Sequence, residues 1–242
     1  MEEFVGELQK INPQRIINHQ EPSHLDNFFL TLALVFNDLK GIVLFERMMI
    51  ERFRRPDIGE CSVQCGEYGG LLVETSKFFG GVINEFFIFL SKNKDVIDSY
   101  TFKGILKSIN KEERQLWEEI IDIAFNKVGG ASDFSKILKI IRNHIAFHYF
   151  GSHEDLKNGF ISFFFKKDKI QHNEFAYYSM GNPMTMENTR FYYIDAAEQE
   201  YLNSLSKDYE LFKKDVSKII IKMNFAIAAL IKEYIRTRPH KN

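Results

Sequence analysis

The chain reads as a mainly α protein: a helical bundle with a small β-hairpin or meander inserted before a long C-terminal helix. Three observations predict this. Apolar residues recur at helical spacing through long segments, and those segments begin at capping residues and end at Gly or Pro. Between about 159 and 194 the pattern changes to short aromatic runs separated by polar, Gly and Pro residues. With 242 residues, 45% of them apolar and 24 of them Phe, the chain can bury a substantial core, and a single domain over 1–242 is expected.

The first helix is expected from Ser23-His24-Leu25-Asp26, with Ser23 as cap and Asp26 at the third helical position. It runs to about Glu51 and buries Phe28, Leu32, Val35 and Leu39. Pro56 and Gly59 interrupt the chain before a second helix over roughly Gln64 to Leu90, whose middle Gly80-Gly81 weakens. Asn110-Lys111-Glu112-Glu113 has the form of a capping box, opening a helix through about Asn126 with Leu116, Ile120 and Ile121 facing inward. After Gly129-Gly130, Ser132 is expected to cap a helix ending near Phe150, since Gly151 suits the left-handed position beyond a helix. The runs Phe160–Phe165, Phe175–Tyr178 and Phe191–Ile194 form the β excursion, and one closing helix covers roughly Ala196 to Ile235.

Thirty-two basic against 33 acidic residues leave a formal charge of −1, so no global field gathers nucleic acid or anionic lipid. Any such contact is local. Cys61 and Cys65 cannot build a multi-bridge secreted framework, and the start Met1-Glu2-Glu3-Phe4 lacks the basic head and apolar run of an export signal. A cytoplasmic protein with reduced thiols is expected. The apolar stretches Phe28–Phe36 and Ile219–Ile231 are respectively short and interrupted by Lys222 and Asn224, so no membrane span is expected.

Chemically useful side chains converge in one segment, Arg142-Asn143-His144-Ile145-Ala146-Phe147-His148-Tyr149. Arg is a permanent cation matched to phosphate geometry, and His exchanges protons near neutral pH. On a helix, His144 and His148 fall on the apolar stripe with Ile137, Ile141 and Ile145, with Arg142 about 120° from His148. A ring on that stripe must be hydrogen-bonded in the core or open onto a cleft or subunit interface. His148 in a last turn feels the negative end of the helix dipole, which favours its protonated form. Arg142 stands about 9 Å along the axis, near enough for both to meet one phosphate.

With Arg142, Asn143 directly after it, and His148 beyond five intervening residues, the segment resembles the mark of the HEPN superfamily. The resemblance implies a helical bundle, a homodimer that brings two such motifs together, and metal-independent endoribonuclease activity of the toxin–antitoxin, defence or RNA-processing kind. It further implies catalytic Arg142, Asn143 and His148, with His144 and Tyr149 in support, RNA as substrate, no cofactor, and an antitoxin or other protein as a possible partner. Some toxins of this family carry a Tyr two residues after the His that a partner nucleotidyltransferase modifies. Here Phe150 holds that position, so that mode of neutralisation is not expected.

Other sites are weaker. His144 and His148 have an i, i+4 metal-ligand spacing but lack the Glu of a zinc protease and the paired Glu-x-x-His motifs of a di-iron bundle; only Glu21-Pro22-Ser23-His24 has that form. Glu118, Glu119 and Asp122 read as a solvated face, and Cys61 and Cys65 lack a second ligand pair. Arg52, Arg54 and Arg55, with Lys166, Lys167 and Lys169, are the local basic clusters that could touch phosphate. The alternative to catalysis is a non-catalytic module binding RNA or a protein partner through the same residues.

Overall fold

The computed structural model describes residues 10–17, 21, 23–57, 59–142, 153–165, 175–181, 184, 189–205 and 209–238. Among these, a short 3-10 turn at Pro13–Arg15 precedes α1 (His24–Arg52), α2 (Val63–Lys92), α3 (Lys94–Asp98), α4 (Tyr100–Ser108) and α5 (Lys111–Ala124). Beyond them lie α6 (Ala131–Ile140), α7 (His153–Phe165), α8 (Tyr192–Ser204) and α9 (Tyr209–Thr237). The protein is mainly helical. α1, α2, α5 and α9 form the central layer, with α3 and α4 across one end and the α7–α8 pair against α2.

Local chemistry sets where these helices start. The Ser23 hydroxyl accepts from Asp26 N–H while the Asp26 carboxylate accepts from Ser23 N–H, the expected reciprocal box. Ser62, Ser99 and Asn110 each accept from the backbone N–H three residues on, opening α2, α4 and α5. α5 closes at Ala124, where Phe125 caps it and Asn126 turns left-handed at φ 55°. Ser132 is not the cap of α6. Gly130 takes that place at φ 80°, a conformation open to glycine at no steric cost, and its carbonyl accepts from Asp133 and Phe134.

Aromatic packing fills the core. Phe28 stacks on Phe89 at 5.0 Å and meets Phe102 edge-on at 5.5 Å, and Phe102 lies 5.7 Å from Trp117. Such pairs add about 0.5–1.5 kcal/mol beyond burial. Phe29 stacks on Tyr234 at 4.0 Å. The Tyr234 hydroxyl donates to the buried Asp26 carboxylate at 2.7 Å, and Arg238 pairs with the same carboxylate. Burial and the Asp26 hydrogen bond push the Tyr234 phenol up from its ordinary value.

Two further expectations are corrected. The Phe160–Phe165 run belongs to α7 and Tyr192–Ile194 to α8, and among the described residues of this region the β structure is one antiparallel bridge, Ser179 with Arg190. The aromatics there satisfy a helix because Phe160 and Phe164, four apart, meet at 4.6 Å while Phe160 also meets Tyr193 of α8. The expected single closing helix is two, α8 and α9. Gly159 allows α7 to approach α8 so closely that a Cβ there would stand 2.1 Å from the Ala197 carbonyl oxygen.

α8 in turn seats on a bare ridge of α2. A Cβ on Gly66 would fall 2.3 Å from the Tyr192 ring and one on Gly70 2.0 Å from the Arg190 guanidinium. Arg190 is held bidentately by Asp195 at 2.7 and 3.1 Å. Lys77 of α2 bridges Glu74 at 2.9 Å and buried Glu198 of α8 at 3.2 Å. Desolvation holds the Glu198 carboxyl above its usual range although Lys77 opposes this.

The outer face of α1 departs from the usual polar surface. Leu30, Leu34, Leu44, Phe45 and Met48 are exposed, and on α9 so are Ile221 and Phe225, which share a groove with Val43 of α1. α1 is thereby long and apolar enough to cross a membrane, with a window of mean hydropathy 1.8 of which 22% is buried. That exceeds the expectation from Phe28–Phe36, because the outer and inner faces are both apolar.

Candidate functional site

Arg142 stands at the end of α6, and Gly80 of α2 determines where that end sits. Ile141 is buried directly on Gly80, so close that a Cβ there would lie 2.8 Å from Ile141 Cγ2. Gly80, costly to helix propensity, therefore serves as a seat for α6. Ile141 and Arg142 continue α6 as a wider π-type turn, a geometry frequent at functional positions. Fixed in this way, Arg142 reaches back to α2, where its Nε donates to Glu85 Oε1 at 2.9 Å. Both side chains are partly exposed, 39% and 55%, so the pair orients Arg142 more than it stabilises the fold.

Arg142 lines a groove of about 570 Å³ between α1 and α2. Val35, Ile42, Phe78 and Val82 supply its apolar walls, and Asn37, Asp38 and Glu85 its polar groups, with Gly41 on the α1 side. Asn37-Asp38 and Asn84-Glu85 are short polar pairs inside otherwise apolar runs, the signal from which sequence reading could have found this groove. Asn84 itself is buried, its Nδ2 without a hydrogen-bond partner among the described residues.

Of the expected site residues, Arg142 is thus placed beside a groove. Asn143, His144, His148 and Tyr149 lie outside the described residues, as do Phe150 and Lys166, Lys167 and Lys169. Elsewhere, three of the sequence candidates are engaged in surface pairs. Arg54 binds Asp57 and Glu60 at 3.4 and 2.9 Å, Glu119 binds Lys222 at 2.8 Å, and Asp122 binds Lys127 at 3.3 Å. Cys61 and Cys65 are free thiols, and burial raises the Cys65 thiol. Among the described residues no group of His, Cys, Asp or Glu is arranged to hold a metal ion.

Chemically, the groove combines one oriented guanidinium, an apolar floor and two carboxylates. A guanidinium in such a place can hold a phosphate or a carboxylate by paired N–H donors. No family model matches the chain, and neither a curated protein nor a solved structure is significantly similar to it.

Proposed function

We propose that this protein is a cytoplasmic, metal-independent endoribonuclease of the HEPN kind, acting in a toxin or defence setting, with Arg142, Asn143 and His148 as its catalytic group. The observation that carries the reading is Arg142, oriented by Glu85 at the mouth of a groove and followed at once by Asn143 and, beyond five intervening residues, by His148. In the reaction an RNA 2′-oxygen bonds to the adjacent phosphorus as the P–O5′ bond breaks. His148 is the acid–base group: its imidazolium form gives a proton to the leaving 5′-oxygen while the 2′-hydroxyl proton passes to water, leaving a 2′,3′-cyclic phosphate and a 5′-hydroxyl. Acid–base assistance of this kind contributes about 10² to 10⁴-fold. Arg142 stabilises the charge that develops on the phosphate. Asn143 orients the ring or the substrate.

The reading includes a homodimer. Leu34 and Met48 on α1 and Ile221 and Phe225 on α9 are each more than half exposed. Exposed apolar side chains gathered along one side of a helix are what a subunit interface would cover. The groove opens beside this face, since Asn37 and Gly41 lie on the same side of α1 as Leu34 and Met48.

A second reading, a non-catalytic module that binds RNA or a protein partner, is favoured by the ion pair with Glu85, which already engages the Arg142 guanidinium. One experiment separates the two. Mixed RNA is incubated in chelator with wild type and His148→Ala, with end-group analysis, melting curves and sedimentation of both proteins. Cyclic-phosphate ends from a dimeric wild type, lost at least 10²-fold in an equally stable variant, are the expected result. A folded wild type that binds but never cuts RNA would leave the binding module.

A further inference from the structure

We propose that the groove beside Arg142 is a subsite for a guanine base, belonging to the RNA strand whose phosphate meets that guanidinium. The inference rests on the ribonuclease reading above and adds base choice to it. The volume of about 570 Å³ lies within the range of small-ligand sites and exceeds what a single base needs. Phe78, 37% exposed, with Val35 and Val82 offers the flat apolar surface on which a base stacks. At Gly41 an added Cβ would meet nothing within 4 Å, so the α1 wall is open there to an incoming ring.

Asp38 decides which base. A carboxylate in a groove for RNA repels the backbone, so it is misplaced as a phosphate contact, a task that suits Arg142. As a base reader it is well placed. An ionised carboxylate is acceptor-only with two oxygens, and guanine alone among the four RNA bases presents two adjacent N–H groups, N1–H and N2–H, on its pairing edge. Adenine and cytosine set one amino group beside a ring acceptor, and uracil flanks its single N–H with carbonyls. Each of these turns an acceptor toward a carboxylate oxygen. Asn37, the preceding residue on α1 and also in the groove wall, carries an amide N–H that can donate to guanine O6.

The test is cleavage of four RNAs identical but for one unpaired G, A, C or U, by wild type, Asp38→Asn and Gly41→Leu, with the ratio of guanine to other cuts read within each reaction. Wild type is expected to cut at guanine, and Asp38→Asn to lower the guanine ratio about tenfold, the usual discrimination of a bidentate base contact. Gly41→Leu should erase the preference by filling the wall. Equal cutting at all four bases, or a ratio unmoved by Asp38→Asn, overturns the guanine subsite while leaving the ribonuclease reading intact. If wild type cuts no RNA, that reading fails, and titration with the four nucleoside 3′-monophosphates decides the groove alone. Guanosine-selective binding weakened about tenfold by Asp38→Asn supports the subsite, and equal or absent binding removes it.

Discussion

Ile141 on Gly80 shows how one contact positions a functional side chain. Gly80→Ala should gain about 1 kcal/mol of helix propensity yet lose about 1–3 kcal/mol to overpacking, because the new Cβ enters Ile141 Cγ2. A net loss of stability is expected. In an Ile141→Ala background, which removes the obstructing methyl, the same change should become stabilising. Urea unfolding of the four proteins of this cycle measures the reversal; an unchanged sign would mean that Ile141 does not rest on Gly80. Gly80-Gly81 was visible in sequence only as a weakness, since a glycine's value as a docking surface depends on which residue arrives there.

The starts of α1 and α5 carried through from sequence to structure because a cap is a local event, whereas the cap of α6 moved from Ser132 to Gly130. Ser23 and Asp26 meet as expected, and Asn110 Oδ1 accepts from Glu113 N–H at 2.8 Å. Asn110→Ala should cost about 1 kcal/mol and Asn110→Gly only a few tenths, measured by chemical denaturation; equal losses would assign the effect to something other than the cap. Elements without such local marks were harder to read. The Phe160–Phe165 run is compatible with a strand by composition, and it is the partner surface of α8, reached through Gly159, that favours the helix. α3 and α4 went unread because each is short.

Across the molecule, the seat of α8 on α2 places charges where water is scarce, and this makes stability depend on pH. Glu198 is buried, and desolvation raises its carboxyl above the usual value. The native state therefore takes up a proton that the unfolded chain does not, and stability falls as pH rises from the unfolded value through the raised native one. Lys77 limits that loss at 3.2 Å. Lys77→Met should cost about 3 kcal/mol near pH 7 by leaving the carboxylate poorly compensated. The penalty should shrink at lower pH, as protonation relieves the Glu198 charge. Melting temperatures at neutral and at lower pH test this, and an equal penalty at both would sink the argument. The bridge between Ser179 and Arg190, with Arg190 lying on Gly70, belongs to the same seat.

By itself the sequence determined the helical class, the Ser23 and Asn110 caps and the inner faces of α1 and α5. These follow from periodicity and from hydrogen bonds that span three or four residues. It also singled out Arg142 through the residue types around it. Only the tertiary structure decided that Arg142 meets Glu85 from 57 positions away and that Asn37 and Asp38 join it around one groove. Nor could sequence tell that the apolar outer face of α1 stays uncovered by α2 or α9. Those relations arise from how α1, α2 and α6 pack on glycine seats, and packing pairs residues by surface shape at separations that local pattern does not encode.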